Sequence, residues 1–277
     1  MTNEITLYGF GYVGQAVFRF LKDHFHLVVH DPVSTNLHEV NAPHHFVLRA
    51  KEVVPSKFAI ICVPTPTKPD GACDTSIVEQ VIHESKHDFY LIKSTIVPGT
   101  TARLIKETGK QVAFSPEFIG EGKYTIPYWK GYPHPTDMKL HEFHIFGGER
   151  AVVGEWIRVW QKVAGWSPKY AQTDSTTAEI VKYAENAYLA TQKIFFDQLF
   201  EIAKANGSDY NTVRELLLLD GRVSPAQSII YPDNRGFSGK CLPKDMAGII
   251  KHMEELGHDP HFLRAIVDSN KKFREKV

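Results

Sequence analysis

Ile5-Thr6-Leu7-Tyr8-Gly9-Phe10-Gly11-Tyr12-Val13-Gly14 is the stretch from which the fold is read. Residues 5–8 suit a short buried strand, and residues 15–22 continue past the last glycine with a helical pattern. Residues 27–30 read as a second buried strand that ends at Asp31. Strand, glycine turn, helix, strand and then an acid about twenty residues on is the order of a dinucleotide-binding unit. Gly9 permits the tight turn, Gly11 lets the backbone approach a pyrophosphate at the helix N-terminus, and Gly14 lets helix and strand pack closely. Asp31 can bind both ribose hydroxyls and repels a 2′-phosphate, so the pattern favours NAD over NADP. The competing reading is a packing turn that binds nothing.

Further apolar strands follow at residues 58–63, 89–93, 112–114 and 143–146, alternating with helical patterns. Such alternation implies a mostly parallel, doubly wound, Rossmann-like sheet. Thr65, Thr95, Glu117 and Glu121 each lie just past a strand end, at the sheet edge where open α/β folds take ligands. A single polar residue there is more often a cap or turn former; four together point to a site. Residues 124–141, with three prolines and four aromatics, read as an exposed loop or lid. No His-x-x-x-His or carboxylate partner stands at metal spacing, so no metal site is expected.

The second half is helical. Asp174-Ser175-Thr176-Thr177 is a dense cap signal, followed by a run to residue 206 without Pro or Gly. At 1.5 Å per residue this helix spans roughly 40–45 Å, long enough for a spine between lobes or a subunit interface. Lys182 and Asn186 share one face, with Glu179 close by, and could donate to an oxyanion. A solvated Lys/Asn face is the alternative. Shorter helices are expected at 209–219, 246–257 and 262–273, giving domains 1–172 (Rossmann-like) and 173–277 (helical). Gly236-Phe237-Ser238-Gly239-Lys240-Cys241-Leu242-Pro243-Lys244-Asp245 puts Cys241 at a helix start, where the dipole, Lys240 and Lys244 favour thiolate. Asp245 is one turn on. Thiolate beside carboxylate is a layout for covalent catalysis followed by hydrolysis; a capped helix start with an inert thiol fits equally. The loop from Tyr231 to Arg235 suits a phosphate or is a plain turn.

The 277 residues suffice for one large domain or two ordinary ones, and 43% hydrophobic with 23% charged content is normal for a soluble globular protein. A net charge of zero offers no basic field for nucleic acid or a membrane surface. There is no apolar stretch long enough to span a bilayer and no signal-peptide pattern. Three scattered cysteines (Cys62, Cys73, Cys241) argue for a reducing, cytoplasmic compartment.

Taken together, the segments resemble the UDP-glucose/GDP-mannose dehydrogenase family. The glycine turn, Val63-Pro64-Thr65-Pro66 with Asp70-Gly71, Lys93-Ser94-Thr95, Ser115-Pro116-Glu117-Phe118 with Glu121-Gly122, Lys182-Tyr183 with Asn186-Ala187, Asp220 with Arg222, and the cysteine segment fall in family order. The resemblance implies four-electron oxidation of a nucleotide sugar's C6 alcohol by NAD, with UDP-glucose the favoured substrate. It makes Cys241 the nucleophile and Lys182 the oxyanion partner, while Thr95, Asn186 and Asp245 place or activate water. Glu121 sets the water or nicotinamide side. Cofactor contacts fall on Gly9, Gly11, Tyr12, Val13, Gly14, Asp31, Thr65, Thr95, Glu121 and Lys244. Substrate contacts fall on Glu117, Phe118, Ile119, Lys182, Asn186, Tyr231, Asn234 and Phe237, and on Arg222 from across a homodimer built on the long helix. Ser238 and Lys240 depart from the family's small residues, so Ser238 is expected in a strained backbone if that position takes positive φ. The family's third, C-terminal α/β domain is expected to be absent. Two alternatives stand: a two-domain β-hydroxyacid dehydrogenase, which needs a lysine but no cysteine, and a catalytically silent NAD- or nucleotide-sugar-binding protein.

Overall fold

The computed structural model describes residues 4–33, 46–48, 55–119 and 137–275. The chain divides into two compact units, Met1–Pro66 with Asp74–Lys182, and Thr67–Cys73 with Tyr183–Val277.

The first unit carries strands β1 (Glu4–Tyr8), β2 (His26–His30), β3 (Phe46–Leu48), β4 (Phe58–Ile61), β5 (Phe89–Ile92), β6 (Gln111–Phe114), β7 (Phe143–Gly147) and β8 (Lys169–Thr173). They form one sheet in the order β3-β2-β1-β4-β5-β6-β7-β8. All neighbours are parallel except β6 and β7. Successive connections leave β1 on opposite sides, which makes the carboxyl end of β1 and β4 the switch point where such sheets bind ligands. Helices α1 (Tyr12–Leu21), α2 (Ser76–Glu84), α3 (Thr100–Thr108) and α4 (Arg150–Ala164) cover the sheet.

The strand alternation decides which helix packs where. On β4, Phe58 and Ile60 join a core with Val17 of α1 and Trp156 and Trp160 of α4. Ala59 and Ile61 join a second core with Val78 and Ile82 of α2 and Leu104 of α3. With both faces covered, the central strands β4 and β5 are apolar throughout, which is why these segments were legible. β3 and β8 are not foreseen. β8, Lys169-Tyr170-Ala171-Gln172-Thr173, is a sheet edge with no fully buried residue and so carries no apolar run. Of the expected loop at 124–141, Met138–Leu140 form a short 3-10 turn with Met138 buried in the first core; 124–136 lie outside the described residues.

Helix α5 (Ser175–Ala205) begins in the first unit and continues into the second, followed by α6 (Tyr210–Leu217), α7 (Leu242–Glu255) and α8 (His261–Arg274). The cap signal at Asp174 acts as read, its side chain accepting the Thr177 N–H at 2.8 Å. Asp209, expected as the first residue of a helix, caps α6 and accepts the Thr212 N–H at 2.8 Å. The second unit's core joins Ala190 and Ile194 of α5, Phe237, Met246 of α7, and Ile266 and Phe273 of α8. Among the described residues no helix is long and apolar enough to cross a membrane.

Candidate active site

In the first unit the three glycines of the turn answer to different constraints. Gly9 has φ +87°, and a Cβ there would stand 2.5 Å from the Cys62 carbonyl oxygen. At Gly14 a Cβ would stand 2.1 Å from the Gly9 oxygen. Packing therefore requires both. A Cβ at Gly11 meets no described atom within 4 Å, so its glycine is not required by packing against the described residues. Gly11 caps α1 without a side-chain bond, at the helix N-terminus where the dipole favours an anion. Asp31 Oδ2 accepts the Phe10 N–H at 2.6 Å and Oδ1 that of Val33 at 2.9 Å, which ties the end of β2 to the turn. Tyr12 is exposed and Val13 half-buried beside it. An open glycine at a helix N-terminus with an acid at the next strand end fits a dinucleotide.

Beyond β4 and β5, Ser94 Oγ donates to the Val63 carbonyl at 2.7 Å and fastens the two loops that carry Thr65, buried, and Thr95, half-buried. Lys93 is buried, with Nζ 3.2 Å from Ser115 Oγ and 3.1 Å from Glu117 Oε2. Each charge offsets the other's desolvation. Glu117 Oε1 accepts the Phe118 N–H at 2.9 Å. The Glu117 carbonyl accepts from Lys182 Nζ at 2.5 Å, and that ammonium lies 5.5 Å from the centre of the Phe118 ring. Ile119 is half-buried against the core. Glu179 is fully buried and caps α3, its carboxylate accepting from Gly99 at 2.6 Å and Thr101 at 2.9 Å. Burial raises its pKa, and those hydrogen bonds oppose the rise. Burial pushes the Cys62 thiol up to about 12, so Cys62 stays protonated and inert.

In the second unit Cys241 is the cap residue of α7 and is exposed, with Pro243 in the first turn. The Cys241 carbonyl accepts the Asp245 N–H at 2.9 Å. Asp245 is buried; its carboxylate accepts from Asn186 Nδ2 at 2.5 Å and pairs with Lys244. Gly236 and Gly239 take positive φ, whereas Ser238 does not, so the expected strain at Ser238 is absent. Arg235 corrects another expectation. It is buried against Asp197 and Glu201 and sandwiched by Phe200 and Phe273, and so is not held out for a phosphate. No group of three or more His, Cys, Asp or Glu among the described residues could hold a metal ion.

Residues 35–129 match the sequence model of the UDP-glucose/GDP-mannose dehydrogenase family, NAD binding domain, and residues 176–272 that of its central domain. The chain belongs to the UDP-glucose/GDP-mannose dehydrogenase family. A UDP-glucose 6-dehydrogenase of Haloferax volcanii is 28% identical over 96% of this chain and 69% of its own length. A GDP-mannose 6-dehydrogenase of Pseudomonas syringae pv. tomato is 27% identical over 80% of this chain and 52% of its own. The UDP-D-ManNAc dehydrogenase structure from Pyrococcus horikoshii superposes with a TM-score of 0.77 at 23% identity, over 98% of this chain and 68% of that one, a likeness of fold. The chain spans between about half and two thirds of the relatives it matches.

Within this family member the expected site residues fall into two groups. Lys182, Glu117 and Phe118 meet in the first unit; Asn186, Lys244, Asp245 and Cys241 meet in the second. Glu121 lies outside the described residues. Arg222 is exposed and grips Asp220. Tyr231 and Asn234 are exposed and bridged to each other. Phe237, expected at the substrate, packs in the second unit's core, its N–H and carbonyl both held by Asn270. Sequence reasoning passed over Lys93 as a separate site residue, although a lysine directly after an unbroken apolar strand is a signal for a buried, paired charge. It also passed over Asp197, whose partners Arg235 and Gly236 are distant in sequence.

Proposed function

We propose that the chain oxidises the C6 alcohol of a nucleotide sugar to the carboxylate, with UDP-glucose the favoured substrate, through a covalent adduct on Cys241. The observation that supports this most is the start of α7: an exposed cysteine as cap residue, with the buried Asp245 one turn on and held by Asn186. NAD, when bound at the Gly9–Gly14 turn with Asp31 at its ribose, supplies the acceptor for both hydrides, one cofactor molecule for each. Tyr12, Val13, Thr65, Thr95 and Lys244 are its further contacts.

After the alcohol has become an aldehyde, Cys241 Sγ adds to the C6 carbon and forms a carbon–sulfur bond. The oxyanion of this thiohemiacetal is stabilised by the ammonium of Lys182 and the amide of Asn186. Oxidation of the adduct leaves a thioester on Cys241. Asp245, with Thr95 and Glu121, orients water toward the carbonyl; the carbon–sulfur bond breaks, the thiolate returns and the acid leaves. Glu117, Phe118, Ile119, Tyr231 and Asn234 hold the sugar nucleotide.

Arg222 serves the site of a second copy. The homodimer reading draws support from α5, where Tyr188, Phe195 and Ile202 recur every seven residues and are each more than half exposed. Cytoplasmic residence draws support from three free cysteines. The test is NAD reduction against a panel of UDP- and GDP-sugars. Two NADH per sugar are expected, and Cys241→Ser lowers acid release by about a thousandfold or more. Full turnover by that variant refutes the covalent step.

A further inference from the structure

The cysteine segment is held before its exposed part begins. Asp197, fully buried on α5, gathers three donors on one carboxylate. Lys193 Nζ lies at 2.7 Å and the Gly236 N–H at 2.9 Å, both on Oδ2, and Arg235 Nε lies at 2.6 Å on Oδ1. The Asp197 carbonyl takes a further bond from Arg235 at 2.7 Å. Next along the chain, Asn270 of α8 holds Phe237 by N–H at 2.6 Å and by carbonyl at 3.1 Å. Ser238, Gly239, Lys240 and Cys241 then run exposed into α7. Past them Asp245 is held by Asn186. Asn186 and Asp197 are eleven residues apart on α5, three turns, and so share one stripe of that helix.

Burying these charges costs several kcal/mol apiece, and apolar residues of similar size would pack there at least as stably. What they add is a fixed backbone position. We propose that Asp197 is a positioning residue for Cys241: it fixes the Arg235–Gly236 backbone and thereby the course of the turn that presents the thiol. This rests on the reading of Cys241 as nucleophile.

Asp197→Asn and Lys193→Met separate positioning from general support. The first replaces an acceptor-only group by an amide that turns N–H toward donors. The second disturbs the same buried network but leaves the bonds to Arg235 and Gly236. Both variants lower the melting temperature. Asp197→Asn lowers kcat about tenfold or more with KM within about threefold, whereas Lys193→Met keeps kcat within about threefold. In hydrogen exchange, amides of residues 236–241 open about tenfold faster or more in Asp197→Asn alone. Loss of kcat in step with melting temperature in both variants, or wild-type kcat and exchange in Asp197→Asn, overturns the proposal. Should Asp197→Asn fail to fold, Lys193→Met/Asp197→Leu/Arg235→Met replaces the network by apolar residues. Folded with low kcat, it supports the proposal; folded with wild-type kcat, it refutes it. A wild-type chain that oxidises no nucleotide sugar overturns the reading of Cys241 and the catalytic half of the proposal with it, while the exchange comparison still rules on the clamp.

Discussion

The two turns that open α1 and α7 both use glycines with positive φ, yet they are held in opposite ways. The turn at Gly9–Gly14 is fixed by contact: backbone of Cys62 and Val63, just past β4, and of the turn itself fills the space where Cβ atoms would go at 9 and 14. The turn at Gly236–Cys241 is fixed by polar tethers, Asp197 and Asn270, reaching in from two other helices. A Cβ at Gly236 would meet only side chains, and one at Gly239 nothing described within 4 Å. A turn held by packing is rigid at the cost of sequence freedom. A turn held by tethers leaves exposed positions 238 and 240 free to vary, which is how Ser238 and Lys240 are accommodated beside the thiol.

The largest expected break in this contrast is Gly14→Ala. With a backbone oxygen 2.1 Å from the new atom, the first unit should lose about 3 kcal/mol or more, read as a fall in melting temperature.

Acid sharpens the contrast next, through the sheet unit's own core. His144 is buried among Phe20, Trp160 and Tyr170, and desolvation, with lesser help from Lys93 and His141, holds its pKa down to about 3. The unfolded chain takes up that proton below about 6.5, so the folded state is fully favoured above that pH. Stability then falls as pH drops from about 6.5 toward 3, by up to about 1.4 kcal/mol per pH unit. His144→Phe should flatten that part of the acid unfolding curve. An unchanged slope contradicts the assignment.

Gly11→Ala should leave melting within about 0.5 kcal/mol, because φ of −70° suits any residue and the added methyl meets open space. It should weaken NAD about tenfold or more, by titration, if the proposed approach of the pyrophosphate to Gly11 holds. Gly239→Ala should cost about 1 kcal/mol of backbone strain at φ +87°, with no described atom within 4 Å of the new methyl. If it proves as damaging as Gly14→Ala, the distinction between packed and tethered turns fails.

The same distinction explains what could be read in the sequence. The glycine turn, the apolar strands and the cap at Asp174 depend on neighbours a few residues away, so their pattern is local. Cys241, Asn186 and Asp245 were legible as residue types at helical spacing, and the Asn186–Asp245 bond joins them in the second unit. Arg235 was misread because its partner Asp197 lies 38 residues upstream, where no window includes both. The tether of Phe237 was hidden for the same reason, since Asn270 of α8 holds its backbone from 33 residues away. Edge strand β8 escaped because an exposed edge needs no apolar run.

Covalent capture by Cys241 is tested most directly by trapping it. Asp245→Asn should slow hydrolysis more than acyl transfer. Incubated with NAD and the best sugar nucleotide of the panel, it should accumulate a uronyl thioester, seen by mass spectrometry on the Cys241 peptide and abolished by adding Cys241→Ser. Acid released by the single variant or the wild type with Cys241 alkylated beforehand, or an adduct on any other residue, contradicts the account.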